Sequence, residues 1–370
     1  MHSITFFPIG NADCSRIDLE NGMKLLFDFA HFGVAEDDLD PRIDLASALR
    51  RDLKESGKDE FDVVAFTHGD DDHVHGASEF FYLEHASKYQ GESRIKIKEL
   101  WVPAALVLEE KLNGDARVLR QEARHRLKTG KGIRVFSRPE RLKNWLEDNG
   151  LSIEQRKHLI TDAGKIVPGF SLASDGVEFF VHSPFAERGE DGELADRNEA
   201  SLILQATLLN GDKETRAMLC GDVTCDVLSE IVDITRYHKN DIRLAWDIFN
   251  IPHHCSHNAL NPEKGKEITR PIPNVKWLFN QGNNRALLVS SSKPIPSDDA
   301  DPQPPHRQAA NYYRNVAETI DGEFVVTMEH PNEEKPEPLR IEIDSFGARR
   351  KKVIAASSVA IVSRPAPRAG

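Results

Sequence analysis

Short apolar runs bounded by Gly, Pro, Asn or Asp dominate the chain, and helical 3.6-residue periods are confined to a few segments, which predicts many strands with interspersed helices. Ile4 to Ile9 and Cys14 to Leu19 read as strands, and Asn21-Gly22 closes a hairpin into Met23 to Phe29. An amphipathic helix from about Ile43 to Lys54 leads to a strand at Val63 to Phe66. A second helical pattern, Ala77 to His85, precedes the strand Ile97 to Val102. Strand, helix and strand in succession make a β-sheet with covering helices, and ligands favour the polar turns beyond the C-terminal ends of such strands.

From about Leu106 to His158 the chain turns charged and helix-rich, with Arg120, Arg124, Arg126, Lys128, Lys131 and Arg134 in close succession. A solvated helical face and a nucleic-acid surface are the two readings. Taken as an insertion at about 106–160, the segment also offers a lid or an interface for a protein partner. Phe179 to His182, Ser201 to Leu208, Arg216 to Cys220, Asp247 to Ile251, Lys276 to Phe279 and Ala286 to Ser290 read as further strands. A Pro- and Asp-rich loop, Pro294 to Pro305, is followed by a helix at Arg307 to Thr319 and by strand runs at Phe324 to Met328 and Leu339 to Ile343. One domain over 1–345 is expected, with a basic, flexible tail at 346–370.

The 370 residues carry a formal net charge of −12, which favours solubility and gives no overall attraction to a polyanion or an anionic membrane. No membrane association and a cytoplasmic location are expected, because no run is long and apolar enough to span a bilayer and the N-terminus lacks a secretory pattern. Cys14, Cys220, Cys225 and Cys255 lack the spacing of a structural zinc site or a disulfide framework, so reduced thiols are expected. Cys220 and Cys255 nevertheless flank candidate metal residues, where a thiol can ligate or be oxidised.

Those candidates begin with Thr67-His68-Gly69-Asp70-Asp71-Asp72-His73-Val74-His75-Gly76, which gathers imidazoles and carboxylates just past an apolar strand. Such a mixture suits Zn, Mn or Fe, with His68 and Asp70 facing one ion and Asp72 and His73 another. The alternative is an acidic turn with incidental histidines. Two more strand ends add ligand types, Leu219-Cys220-Gly221-Asp222 and Asn250-Ile251-Pro252-His253-His254-Cys255-Ser256-His257. A carboxylate between two cations can bridge them, and the water between them becomes acidic enough to act as a nucleophile.

The order of these motifs resembles the metallo-β-lactamase superfamily, and within it the soluble hydrolase domain of ComEC/Rec2-type late-competence proteins. The superfamily pattern Thr-His-x-His-x-Asp-His falls on Thr67 to His73, with Asp70 in place of the second His. Phe7 to Asp13 resembles the opening Val-Gly-Gln-Gly-Asp, Leu26-Phe27-Asp28 the Leu-Ile-Asp strand, and Asn198 to Leu202 the Asn-Asn-x-Ser-Leu segment. Pro252 to Ser256 matches Pro-His-His-Gly-Ser with Cys255 for Gly, and the segment before the final His, His306, is longer and Pro-rich. The mid-chain ligand His has no clean match. His182 is nearest, with a packed, hydrogen-bonded imidazole as the alternative.

The resemblance implies an αββα sandwich of two mixed β-sheets covered by helices, and two divalent ions. His68, Asp70, Asp72, His73, Asp222, His253 and His254 are its implied metal ligands, Asp222 being the bridge. Carboxylate enrichment shifts the preference from Zn toward Mn, Mg or Fe at the first position. Asp72 would orient the attacking hydroxide and His306 protonate the leaving oxygen. Asp13 and Asp28 would support ligating histidines or simply form turns. His75, His257 and Ser256 are placed near substrate or behind the ligands, Asn198 and Ser201 near the metals or a phosphate oxygen, and Asp71 in solvent. The first function expected is a phosphodiesterase or nuclease acting on nucleic acid or nucleotides. The alternatives are hydrolysis of a small ester, lactone or cyclic nucleotide, and a degenerate partner-binding module.

Overall fold

The computed structural model describes residues 1–32, 40–185 and 200–351. The first half lays down β1 (His2–Phe6), β2 (Ser15–Asp18), β3 (Lys24–Phe27), β4 (Glu60–Ala65), β5 (Lys96–Pro103), β6 (Ile133–Phe136) and β7 (Ile160–Thr161). The chain then builds β8 (Val177–Ser183), β9 (Ile203–Asn210), β10 (Lys213–Cys220), β11 (Trp246–Ile251), β12 (Gly282–Ser290) and β13 (Glu323–Val326), and closes with β14 (Leu339–Asp344) and β15 (Gly347–Arg350). One sheet runs β15-β14-β1-β2-β3-β4-β5-β6-β7 and the other β13-β12-β11-β10-β9-β8. Both are mixed: β3 to β7 are parallel in the first and β10 to β13 in the second, with antiparallel strands beside them.

Alternation along the strands divides the interior into three apolar layers. Val63 and Ala65 of β4 and Ala217 and Leu219 of β10 face each other between the sheets, in the layer that holds Trp101. Val64 and Phe66 pack outward under helices Leu45–Glu55 and Gly114–Thr129, and Met218 and Phe249 outward under Cys225–Tyr237 and Arg307–Thr319. The result is the expected αββα sandwich. Parallel strands β3 and β4 of one sheet and β10, β11 and β12 of the other deliver their C-terminal loops to one edge. Among the described residues no helix is long and apolar enough to cross a membrane.

Several local expectations change. Lys276 to Phe279 is the end of a helix, Pro273–Phe279, whose Val275, Leu278 and Phe279 are buried at helical spacing behind a proline at its first turn. Only Ala77–Phe80 of the second helical pattern is helical. The segment at 106–160 is not set apart from the sheet, since it contributes β6. Of the expected tail, Gly347–Arg350 pairs with β14, and residues 352–370 lie outside the described residues.

The arginine run is a solvated face only in part, with Lys128 and Lys131 exposed and Arg124 half-buried. Arg120, Arg126 and Arg134 are buried. Arg126 donates to the carbonyls of Ile97 and Gly132 and, through Nε at 2.6 Å, to Glu122, whose other oxygen accepts from the His85 backbone and ring. These bonds moor helix Gly114–Thr129 to the strand beneath it. Burial alone would raise the Glu122 pKa, but Arg126 and the hydrogen bonds outweigh it and hold the carboxyl below its ordinary value. Its stabilising contribution is therefore complete above the unfolded-state value and is lost as pH falls through the depressed folded one. Glu122→Ala is expected to cost about 3 kcal/mol, because the buried Arg126 loses its 2.6 Å partner and keeps only Glu84, 3.5 Å away, as measured by urea unfolding at neutral pH. The difference from wild type should shrink in acid.

Candidate metal centre

At the shared edge of the sheets three histidines are held by Nδ1 and turn Nε2 inward. His73 Nδ1 lies 2.9 Å from Asp28 Oδ2, and Asp28 also accepts the Thr67 backbone N–H and hydroxyl, each at 2.7 Å. With its proton given to Asp28, Thr67 Oγ1 can accept from His68 Nδ1 at 3.2 Å. His254 Nδ1 donates to the Ser291 carbonyl just past β12, at 2.8 Å. Engaging one ring nitrogen leaves the other as the ligand atom and fixes the ring's direction.

Carboxylates meet these nitrogens. His73 Nε2 is 3.3 Å from Asp222 Oδ1 and 3.8 Å from Asp13 Oδ2, and His254 Nε2 is 3.5 Å from Asp222 Oδ2 and 3.1 Å from Asp72 Oδ2. Ligand atoms bound tetrahedrally at the usual metal–ligand distance of about 2.1 Å stand roughly 3.4 Å apart, in the middle of this range. Two overlapping groups have the reach to hold an ion, Asp13 with His73, Asp222 and His254, and His68 with Asp72 and His73. His68 Nε2, His73 Nε2 and Asp222 Oδ1 are buried without a hydrogen-bond partner, the 3.3 Å contact between the last two lacking hydrogen-bond geometry. Unpaired buried polar atoms converging on one point fit a cation better than an acidic turn.

The charges around the cluster are strongly perturbed. Burial opposes a charge on His254, but Asp222, Asp72 and Asp13 outweigh it and raise its pKa to about 9. His73 is likewise raised, by Asp28 and Asp222 against burial. His68 is pushed down to about 4 by burial and by His73. Burial lifts Asp13 to about 6, whereas His254 and His73 overcome burial at Asp222 and hold it well below the carboxylate range.

Backbone devices bring the loops this close. The turn between β1 and β2 carries Asp13, whose N–H donates to the Asp72 carbonyl at 3.1 Å. At Gly221 a Cβ would lie 2.7 Å from Thr67 Oγ1, so only glycine lets the ends of β4 and β10 touch. Asp28 and the consecutive residues His253, His254 and Cys255 all have φ between 50° and 65°. Such a run of left-handed non-glycine residues stores strain at a site that the surrounding contacts hold in place.

Asp70 Oδ2 is 3.6 Å from His68 Nε2, on the His68 side of the cluster. His253 stands at the rim with Nε2 3.9 Å from Asp222. His182 does not join the cluster: its Nε2 bonds the Arg243 carbonyl at 2.8 Å, and burial lowers its pKa to about 4. His306 has both ring nitrogens on the main chain, Nδ1 accepting from the His257 N–H and Nε2 facing the Pro302 carbonyl, so neither is left to protonate a leaving group. His257 bonds the Asn261 carbonyl through Nδ1.

His75 pairs with the exposed Asp71 and stacks on Phe32, 4.4 Å between centroids. Ser256 caps a short helical turn at Asn258, and Ser201 is buried beside Gly221. Asn198 lies outside the described residues. Asp13 was expected behind the ligands, and its position within the ligand set is visible only in three dimensions. The four thiols are free and buried, and burial raises those of Cys220 and Cys255 far above the reactive range.

No family model matches the chain, and no curated protein matches it. Among solved structures, a diphosphatase from the PhnP family is similar over 93% of this chain and 98% of its own, at 9% identity and a TM-score of 0.36. Unliganded yeast PDE1 is similar over 88% and 97%, at 12% identity and a TM-score of 0.40. The metallo-β-lactamase GOB-18 from Elizabethkingia meningoseptica is similar over 75% and 87%, at 12% identity and a TM-score of 0.32. At these identities and scores the likeness transfers neither a ligand nor an activity.

Proposed function

We propose that the chain is a metal-dependent hydrolase whose substrates are the phosphodiesters of nucleic acid or nucleotides. The observation that carries this reading is the convergence of the buried Nε2 atoms of His73 and His254 on the carboxylates of Asp13, Asp72 and Asp222 at 3.1 to 3.8 Å, with His68 grouped beside Asp72 and His73. His68, His73 and His254, with Asp13, Asp72 and Asp222, would hold two divalent ions. Bound there, such ions would supply Lewis acidity for a phosphoryl oxygen and lower the pKa of water toward roughly 7.

The chain's own residues do the rest. Asp222 would hold an ion together with His73, the residue common to both groups, from whose Nε2 it stands 3.3 Å. Asp72, partly exposed, faces the same point from the solvent side and can accept a proton from the attacking water. His253 stands at the open rim, within reach of either an ion or a leaving group. Zn, Mn, Fe and Mg are all compatible with a mixed imidazole and carboxylate set.

The purified chain with Mn or Zn is expected to hydrolyse bis-p-nitrophenyl phosphate and single-stranded DNA. Cleavage restricted to esters or lactones would overturn the phosphodiester reading and leave a hydrolase.

A further inference from the structure

Helix Gly114–Thr129 buries Ala116, Leu119, Ala123 and Leu127 against the sheet and turns a different stripe outward. Arg117, Gln121, Arg124 and Lys128 recur there at helical spacing, so their side chains share one face. That face floors two open depressions of about 370 and 540 Å³, which adjoin because His85 and Gln121 line both. Lys128, Arg124 and Trp145 border the first, and Arg117, Lys88 and Tyr89 the second. Among the described residues no acidic one lines either, in a protein whose formal charge is −12.

The charges in this groove are largely uncommitted. Arg124 shares its charge with Glu110 at 2.7 Å, but among the described residues Lys88, Arg117 and Lys128 have no ion pair. Instead Lys88 Nζ sits 4.5 Å from the Tyr89 ring centroid and Lys128 Nζ 5.5 Å from that of Trp145. Each end therefore pairs a cation with an aromatic face. Along the helix Arg117 and Lys128 are about 16 Å apart, farther than one phosphate reaches.

We propose that this groove binds single-stranded nucleic acid, whose phosphates would meet Lys88, Arg117 and Lys128 and whose bases would stack on Tyr89 and Trp145. The groove also has a direction. Asp115 accepts the backbone N–H of Gly76 and of Ser78, both at 2.9 Å, which fixes the Gly114 end to the loop that carries His68 and His73. A strand lying in it would have one end beside the metal centre. This delivery rests on the phosphodiester reading of that centre, whereas the binding itself does not.

The test is fluorescence anisotropy of a labelled phosphorothioate oligothymidylate, chosen to resist cleavage, titrated with the metal-loaded full chain. Arg117→Glu/Lys128→Glu is expected to weaken binding at least about tenfold and to lower the salt slope by about 1.4, the share of two single-strand phosphate contacts. Arg117→Gln/Lys128→Gln should show a smaller loss in the same direction, with thermal midpoints reporting that both variants fold. Trp145→Leu is expected to weaken binding about tenfold through lost stacking. Hydrolysis of bis-p-nitrophenyl phosphate, too small to span the groove, should stay at the wild-type rate in every variant. Its absence in the wild type would strike the catalytic reading and leave the groove standing. Unchanged affinity after charge reversal would overturn the proposal. So would displacement of the probe by inorganic polyphosphate or thymidine monophosphate as readily as by unlabelled strand.

Discussion

Asp222→Asn is expected to lower kcat for phosphodiester hydrolysis by about 10³-fold or more, with the fold retained. The substitution keeps the volume of a fully buried side chain. It removes the charge that faces His73 at 3.3 Å and His254 at 3.5 Å, and it can place an amide N–H where a cation should bind. Asp222 belongs to one ligand group and stands 3.3 Å from Nε2 of His73, the residue that belongs to both. Activity should fall without recovery at higher substrate concentration, because binding of the rest of the substrate does not depend on this residue. Retention of activity within tenfold of wild type would remove Asp222 from the centre.

The second large effect belongs to a residue that touches no ion. Asp28→Ala is expected to weaken metal affinity about 10- to 100-fold, read by competition with a chromogenic chelator. Asp28 receives three hydrogen bonds, two from Thr67 and one from His73 Nδ1, and together they aim the His73 ring. Asp28→Asn separates positioning from simple destabilisation. Asparagine tolerates the φ of 56° at this position and preserves the turn, but only one of its terminal atoms can accept. Its metal affinity should fall nearly as far as that of Asp28→Ala, while its thermal midpoint falls less. Equal affinity in Asp28→Asn and wild type would contradict the positioning role.

The layer architecture was legible because strands of this kind are written as short apolar runs, and helix Arg307–Thr319 because its period is long enough to be unambiguous. Lys276 to Phe279 misled for the opposite reason: four apolar-rich residues carry no period, and the deciding signals, Pro273 and Val275, lie before them. His68, Asp72 and His73 are local in sequence, so their grouping could be read directly. Asp13 could not be placed that way, because a turn after β1 brings it to Asp72 through the tertiary fold. The arginines failed for a related reason. Arg126 is spent on carbonyls of Ile97 and Gly132 that no spacing rule connects to it, whereas Arg124 and Lys128 of the same run face the groove together with Arg117. His306 and His182 show the limit of reading imidazoles as ligands, since main-chain carbonyls and amides take up their nitrogens.

On the reading proposed above, the inward-facing nitrogens of His68, His73 and His254 hold divalent ions with Asp13, Asp72 and Asp222. Metal content of the purified chain, measured by inductively coupled plasma mass spectrometry after dialysis against metal-free buffer and reloading with Zn or Mn, tests it most directly. About two tightly held ions per chain are expected in the wild type, lost from His73→Ala because that ring belongs to both ligand groups, and unchanged in His182→Leu. A wild-type chain that retains none, or a His73→Ala variant that retains both, would contradict it.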